Sequence, residues 1–129
     1  CIIFVSSKQL CLLLYRLFKK LINCTYVYSD LEDRDKNIMD FKDKKYQFIF
    51  ATTVLERGIT IKDVIVVVLI FNKQVFDKSS LVQMLGRVGR NFNNPYGEAY
   101  IFSSVFDKEI TLAIDDIKEA NRKYELSVL

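Results

Sequence analysis

The sequence predicts an α/β fold, a parallel sheet with helices on both faces. Three observations carry that expectation. Short runs rich in valine, isoleucine and phenylalanine recur along the chain, and the longest, Val64–Phe71, suits a buried strand. Segments with apolar residues at helical spacing stand between those runs, so strand and helix alternate as they do in βαβ units. Half of the 129 residues are apolar and only five are glycine or proline (four and one), enough apolar material for one packed core.

The elements follow in order. Cys1–Val5 is an apolar run ending in Ser6–Ser7, a helix-capping pair. Gln9–Leu21 places Leu10, Leu13, Leu14, Leu17, Phe18 and Leu21 at helical spacing, with Lys19–Lys20 in the last turn, where cations suit the helix dipole. Thr25–Tyr28 reads as a second strand. Ser29 or Asp30 can cap a polar helix over Leu31–Phe41. Gln47–Ala51 is a third strand and Val64–Ile70 a fourth. Ser79–Ser80 caps a short helix ending near Gly86, and Asn94–Gly97 is a turn. Ala99–Ser103 is the last strand. A final helix runs over about Asp107–Glu125, with Ile110, Ile114, Ile117, Ala120 and Tyr124 on one stripe.

Composition removes several classes of function. The net charge of +3 permits a polyanionic partner without demanding one. No apolar run approaches the ~20 residues that span a bilayer, and no segment has the layout of a signal peptide. Without histidine or a C-x-x-C pair, Cys1, Cys11 and Cys24 read as reduced core thiols, not as a zinc site or a disulfide framework. The chain opens at Cys1 inside a strand-like run, which predicts that residues 1–129 are one domain cut from a longer polypeptide.

In an open parallel sheet, ligands bind at the carboxyl ends of the strands. Two segments with unusual residues fall there. In Gly86–Arg90, the run GRVGR, each arginine follows a glycine. Guanidinium is always charged, planar and able to grip phosphate with two hydrogen bonds, and glycine lets a large ligand approach the backbone. Arg87 and Arg90 therefore suit a nucleotide phosphate; two surface arginines at a helix C-terminus, held by its dipole, are the alternative. The second segment carries Thr52, Thr53, Arg57 and Gly58. Threonine hydroxyls beside a helix N-terminus make a sugar-phosphate contact, and a simple capped turn is the alternative. A phosphate loop of the form G-x-x-x-x-G-K-[ST] is absent from these residues. A domain of this kind would supply only part of a nucleotide site.

Read together and in order, these segments resemble the C-terminal RecA-like domain of superfamily 2 helicases and translocases. CIIFVSS resembles motif IV, FIFATTVLERGITIKDV motif V, and VQMLGRVGR motif VI. A narrower resemblance, in TTVLERGITI, VFDKSSLVQMLGRVGRN, PYGEAYIF and AIDDIKEAN, is to the late-competence DNA-uptake ATPase, the ComFA family, itself akin to the primosomal replication-restart helicase. That family's four-cysteine zinc element is missing here. Gln83–Met84 stands where DEAD-box RNA enzymes have histidine and arginine, and Thr60 stands where they carry a ribose-binding aspartate. Both departures point away from an RNA helicase and leave the ribose contact open.

The resemblance implies an ATP-driven motor of two RecA-like lobes, cytoplasmic and placed to serve a DNA-uptake channel at the inner face of the membrane. An N-terminal lobe of the same polypeptide would bring the phosphate loop and hold magnesium. This lobe would offer Arg87 and Arg90 to the ATP phosphates as arginine fingers, with Gln83 bridging nucleotide and DNA. Gly58, Thr60 and Gly86 would face the nucleotide. Ser6, Ser7, Thr52 and Thr53 would touch the backbone of single-stranded DNA. The rival expectations are a replication-restart or repair helicase, a DNA-binding module without motor function, and a metabolic nucleotide-binding domain. The last lacks its G-x-G-x-x-G signature.

Overall fold

The computed structural model describes residues 1–52, 64–70 and 99–103, together with 111–112, 115–116 and 118–119. The elements are β1 (Ile2–Phe4), α1 (Lys8–Phe18), β2 (Cys24–Val27), α2 (Arg34–Lys42), β3 (Phe48–Ala51), β4 (Val66–Ile70) and β5 (Ala99–Ser103). The strands form one sheet in the order β2-β3-β1-β4-β5, and every neighbouring pair is parallel. The α/β expectation holds, and all five expected strands are present within two residues of their expected bounds.

The path of the chain explains the two-sided cover. From β1 it steps over β3 to reach β2, then turns back to β3. Right-handed crossovers in opposite directions put their helices on opposite faces. On the α1 face, Val5, Cys11, Cys24 and Phe50 form a buried cluster, flanked by Leu10, Leu14, Tyr15, Tyr26 and Tyr28. Alternation along the strands turns Ile2, Phe4, Val27, Ile49, Ala51, Val66 and Val68 to the other face, each at most 1% exposed. A face so completely buried explains why these strands read as unbroken apolar runs.

Helix α1 starts where Ser7 permits. Ser7 is extended (φ −148°, ψ 155°) and its hydroxyl accepts from the Leu10 N–H at 3.1 Å, so the capping expectation holds at Ser7. The helix ends at Phe18, with Lys19 as its C-cap. Lys19–Lys20 therefore lie past the last turn, and Arg16 is the cation inside it. The N–H groups of Leu21 and Ile22 both donate to the Phe18 carbonyl, which turns the chain toward β2.

Helix α2 corrects a second expectation. Its N-cap is Asp33, without a side-chain capping bond, not Ser29 or Asp30. The Leu31 N–H donates to Tyr28 and the Arg34 N–H to Leu31, so residues 28–34 form a turn ahead of the helix. The Asp30 carboxylate is engaged elsewhere, by Lys8 at 2.7 Å. The Asn37 amide donates to the Tyr26 carbonyl at 2.9 Å, tying α2 to the edge strand. Past the helix, Lys44 takes the left-handed conformation (φ 63°), at a cost of about 1–2 kcal/mol for a residue with a Cβ.

The three cysteines are free thiols, with Cys11 and Cys24 buried. The Cys11 thiol lies between two strands, 3.2 Å from the Phe50 carbonyl and 3.6 Å from that of Val27. Burial pushes its pKa up to about 11, against a lesser opposing effect from the Val27 hydrogen bond. A thiol so placed is an inert packing group at neutral pH, as the core-thiol reading expects.

The short helix expected to end near Gly86 and the Asn94–Gly97 turn lie outside the described residues. Of the final helix, Thr111, Leu112, Asp115, Asp116, Lys118 and Glu119 are described and helical, and both aspartates are exposed. Among the described residues, no helix is long and apolar enough to cross a membrane.

Candidate nucleic-acid interface

The carboxyl ends of β1, β3 and β2 lie side by side and carry three of the expected contact residues. Register pairs Phe4 with Ala51, and Val27 with Ala51 on the other side. One residue further, the Val5 N–H donates to the Ala51 carbonyl at 2.8 Å, and the Thr52 N–H donates to that of Val27 at 3.3 Å. Parallel pairing thus runs to the rim of the sheet and delivers Ser6–Ser7 and Thr52 to one edge. All three are half-buried. The N-terminus of α1 stands at the same edge, because Ser7 is its cap. Half-buried hydroxyls beside the positive end of a helix dipole suit a phosphodiester oxygen.

Charge at this edge comes from Lys8, to which the sequence assigned no role, and from Asp30, expected there only as a helix cap. Lys8, the first residue of α1, pairs with Asp30 just past β2, its Nζ 2.7 Å from Oδ2. The same ammonium lies 4.9 Å from the centroid of the Tyr28 ring. Tyr28 continues an aromatic ladder, 6.0 Å from Tyr26, which is 4.4 Å from Tyr15. The hydrogen bond with Asp30 raises the Lys8 pKa, and the bond with Lys8 lowers that of Asp30. The pair is therefore fully charged through the neutral range. Asp30 loses its charge as pH falls through its depressed pKa, and Lys8 as pH rises through its elevated one. A lysine directly after a serine pair was the available signal. Its partner lies 22 positions away and only the fold reveals it.

Thr53, Gly58, Thr60, Gln83, Gly86, Arg87 and Arg90 lie outside the described residues, so their expected contacts with nucleotide and strand carry forward as proposals. Among the described residues, no group of histidine, cysteine, aspartate or glutamate side chains is arranged to hold a metal ion.

A five-stranded parallel sheet in the order β2-β3-β1-β4-β5, with helices packed on it, is the architecture of a RecA-like helicase C-terminal lobe. The chain belongs to the helicase conserved C-terminal domain family, which it matches over residues 1–92. It is 38% identical over 98 residues to the competence protein ComFA of Streptococcus pneumoniae, covering 76% of this chain and 23% of that protein. With ComFA of Bacillus subtilis it shares 33% identity over 95 residues, 74% of this chain and 20% of the relative. Among solved structures it is similar to Saccharomyces cerevisiae Dbp5 bound to RNA and ADP BeF3, with a TM-score of 0.67 and 30% identity over 92% of this chain and 31% of that one. The chain thus spans about a fifth of the length of the competence relatives it matches. It is a C-terminal helicase domain of superfamily 2 with ComFA homologues, as its motifs indicate.

Proposed function

We propose that this chain is the second motor lobe of an ATP-dependent DNA translocase that moves single-stranded DNA, with DNA uptake in competence as its role. The observation that carries the reading is the match to the helicase C-terminal family together with identities above 30% to two ComFA proteins. The edge formed by Ser6, Ser7 and Thr52 supports it, because hydroxyls and backbone N–H groups bind a phosphodiester chain without reading its bases.

In this reading the strand's backbone lies along Ser6, Ser7, Thr52 and Thr53. ATP lies between this lobe and an N-terminal lobe of the same polypeptide, which carries the phosphate loop and holds magnesium. Gly58, Thr60 and Gly86 face the nucleotide, and Gln83 couples nucleotide to strand. Arg87 and Arg90 reach the γ-phosphate, where their charge stabilises the transition state of phosphoryl transfer. The motor is cytoplasmic and delivers strand from a membrane uptake channel. A replication-restart or repair helicase would use the same lobe, and its duplex-unwinding activity distinguishes it.

The test is equilibrium binding of oligo(dT) to this domain across a salt series. Few phosphates are neutralised by one lobe of net charge +3, so binding should be weak and fall steadily with salt, at ~0.7 per phosphate contacted on a log–log plot. Substituting Thr52→Ala should weaken binding without changing any preference among base sequences. Tight, salt-insensitive binding, or strong dependence on base sequence, would contradict backbone recognition. Because a solved neighbour holds RNA, an oligo(U) arm is decisive for polymer class: a clear preference for oligo(U) over oligo(dT) would favour an RNA-directed motor.

A further inference from the structure

The Lys8–Asp30 pair joins the first residue of α1, which follows β1, to the loop after β2. Those two strands flank β3 in the sheet, and Thr52 follows β3. The pair therefore connects the two sides of the strip assigned above to the phosphodiester backbone. We propose that Lys8 is a further phosphate contact on that strip and that Asp30 is its internal competitor, so that their ion pair is a latch the nucleic-acid backbone must displace. The proposal rests on the reading of this edge as a nucleic-acid interface and adds to it a named cation and a named restraint.

Three features favour a latch over a staple. Both side chains are well exposed, 49% for Lys8 and 65% for Asp30, and ion pairs so exposed contribute little to stability. The fold does not need this one, because α1 is already capped by Ser7 and packed on the sheet through Leu10, Cys11 and Leu14. The Tyr28 ring lies against the ammonium, holding Lys8 at the edge whichever anion it meets. A phosphodiester oxygen accepts a hydrogen bond from Nζ as the carboxylate does and carries the same sign of charge. Exchange therefore conserves the interaction of Lys8 and releases Asp30 to water.

The experiment uses the full-length protein and a fluorescent oligo(dT), with binding measured over a salt series and melting temperature measured in parallel. Asp30→Asn should tighten binding by about twofold to fivefold, the scale of an exposed ion pair, and steepen its salt dependence. Lys8→Gln should weaken binding and flatten the log–log slope by about 0.7, one phosphate on a single strand. The double variant should match Lys8→Gln, since a competitor without its target has no effect. Melting temperatures should be nearly equal throughout. If Asp30→Asn leaves binding unchanged or weakens it, the latch is wrong; if it also melts markedly lower, the pair is a structural staple. If the wild-type protein fails to bind oligo(dT), the nucleic-acid reading itself falls, a result distinct from a latch failing on a protein that binds.

Discussion

Replacing Arg87 or Arg90 by alanine in the full-length protein is expected to slow nucleic-acid-stimulated ATP hydrolysis by about 10³-fold or more while leaving the fold intact. A rate loss of ~10³ to 10⁵ corresponds to about 4–7 kcal/mol of barrier, the range an arginine finger supplies. Each arginine follows a glycine, which clears space for a ligand, and each offers a planar fork that matches phosphate oxygens. Nucleotide affinity should fall far less than turnover, because in this reading the N-terminal lobe carries most of the binding. Lysine substitutions should rescue little, since a point charge does not reproduce the fork. If instead the two are surface arginines at a helix end, both alanine variants will turn over normally and stay within about 0.5 kcal/mol of wild-type stability. Turnover and melting temperature measured on the same variants separate the outcomes.

Phe4→Ala should be the most damaging substitution among the described residues. Phe4 is wholly buried in the central strand β1, which is paired on both sides, with β3 and with β4. Removing a buried phenyl ring costs about 3–5 kcal/mol, because the lost transfer energy is joined by an unfilled cavity. Domains of this size are stable by about 5–15 kcal/mol, so the loss is a large share of the total. Leu21→Ala makes the control: its side chain is 76% exposed, and its loss should cost no more than about 0.5 kcal/mol. Urea denaturation of both variants tests the pair. A cost for Phe4→Ala below about 1 kcal/mol would mean that β1 is not the centre of the core.

Strands and α1 were legible because their signals are local and strong. Ile2–Phe4, Phe48–Ala51 and Val66–Ile70 are apolar runs rich in β-branched and aromatic residues, and α1 carries leucine at helical spacing behind a serine cap. The start of α2 was not legible, because two plausible caps preceded it. Asp30, one of them, is drawn off by Lys8, a competitor no local rule can see. The candidate edge divides the same way. Ser6, Ser7 and Thr52 follow strands, and strand ends in a parallel sheet are predictable binding positions. That these strands are neighbours, and that Lys8 and Asp30 meet beside them, depends on the order β2-β3-β1 and appears only once the chain is folded.

If these residues are half of an ATP-driven motor, as proposed, a second lobe that carries the phosphate loop completes it. Steady-state ATP turnover tests that proposal most directly, measured for the full-length protein with and without single-stranded DNA and for residues 1–129 alone. DNA-stimulated hydrolysis is expected in the full-length protein and none in the isolated domain. Sustained turnover by the isolated domain, or a full-length protein that hydrolyses no ATP when saturated with DNA, would contradict the proposal.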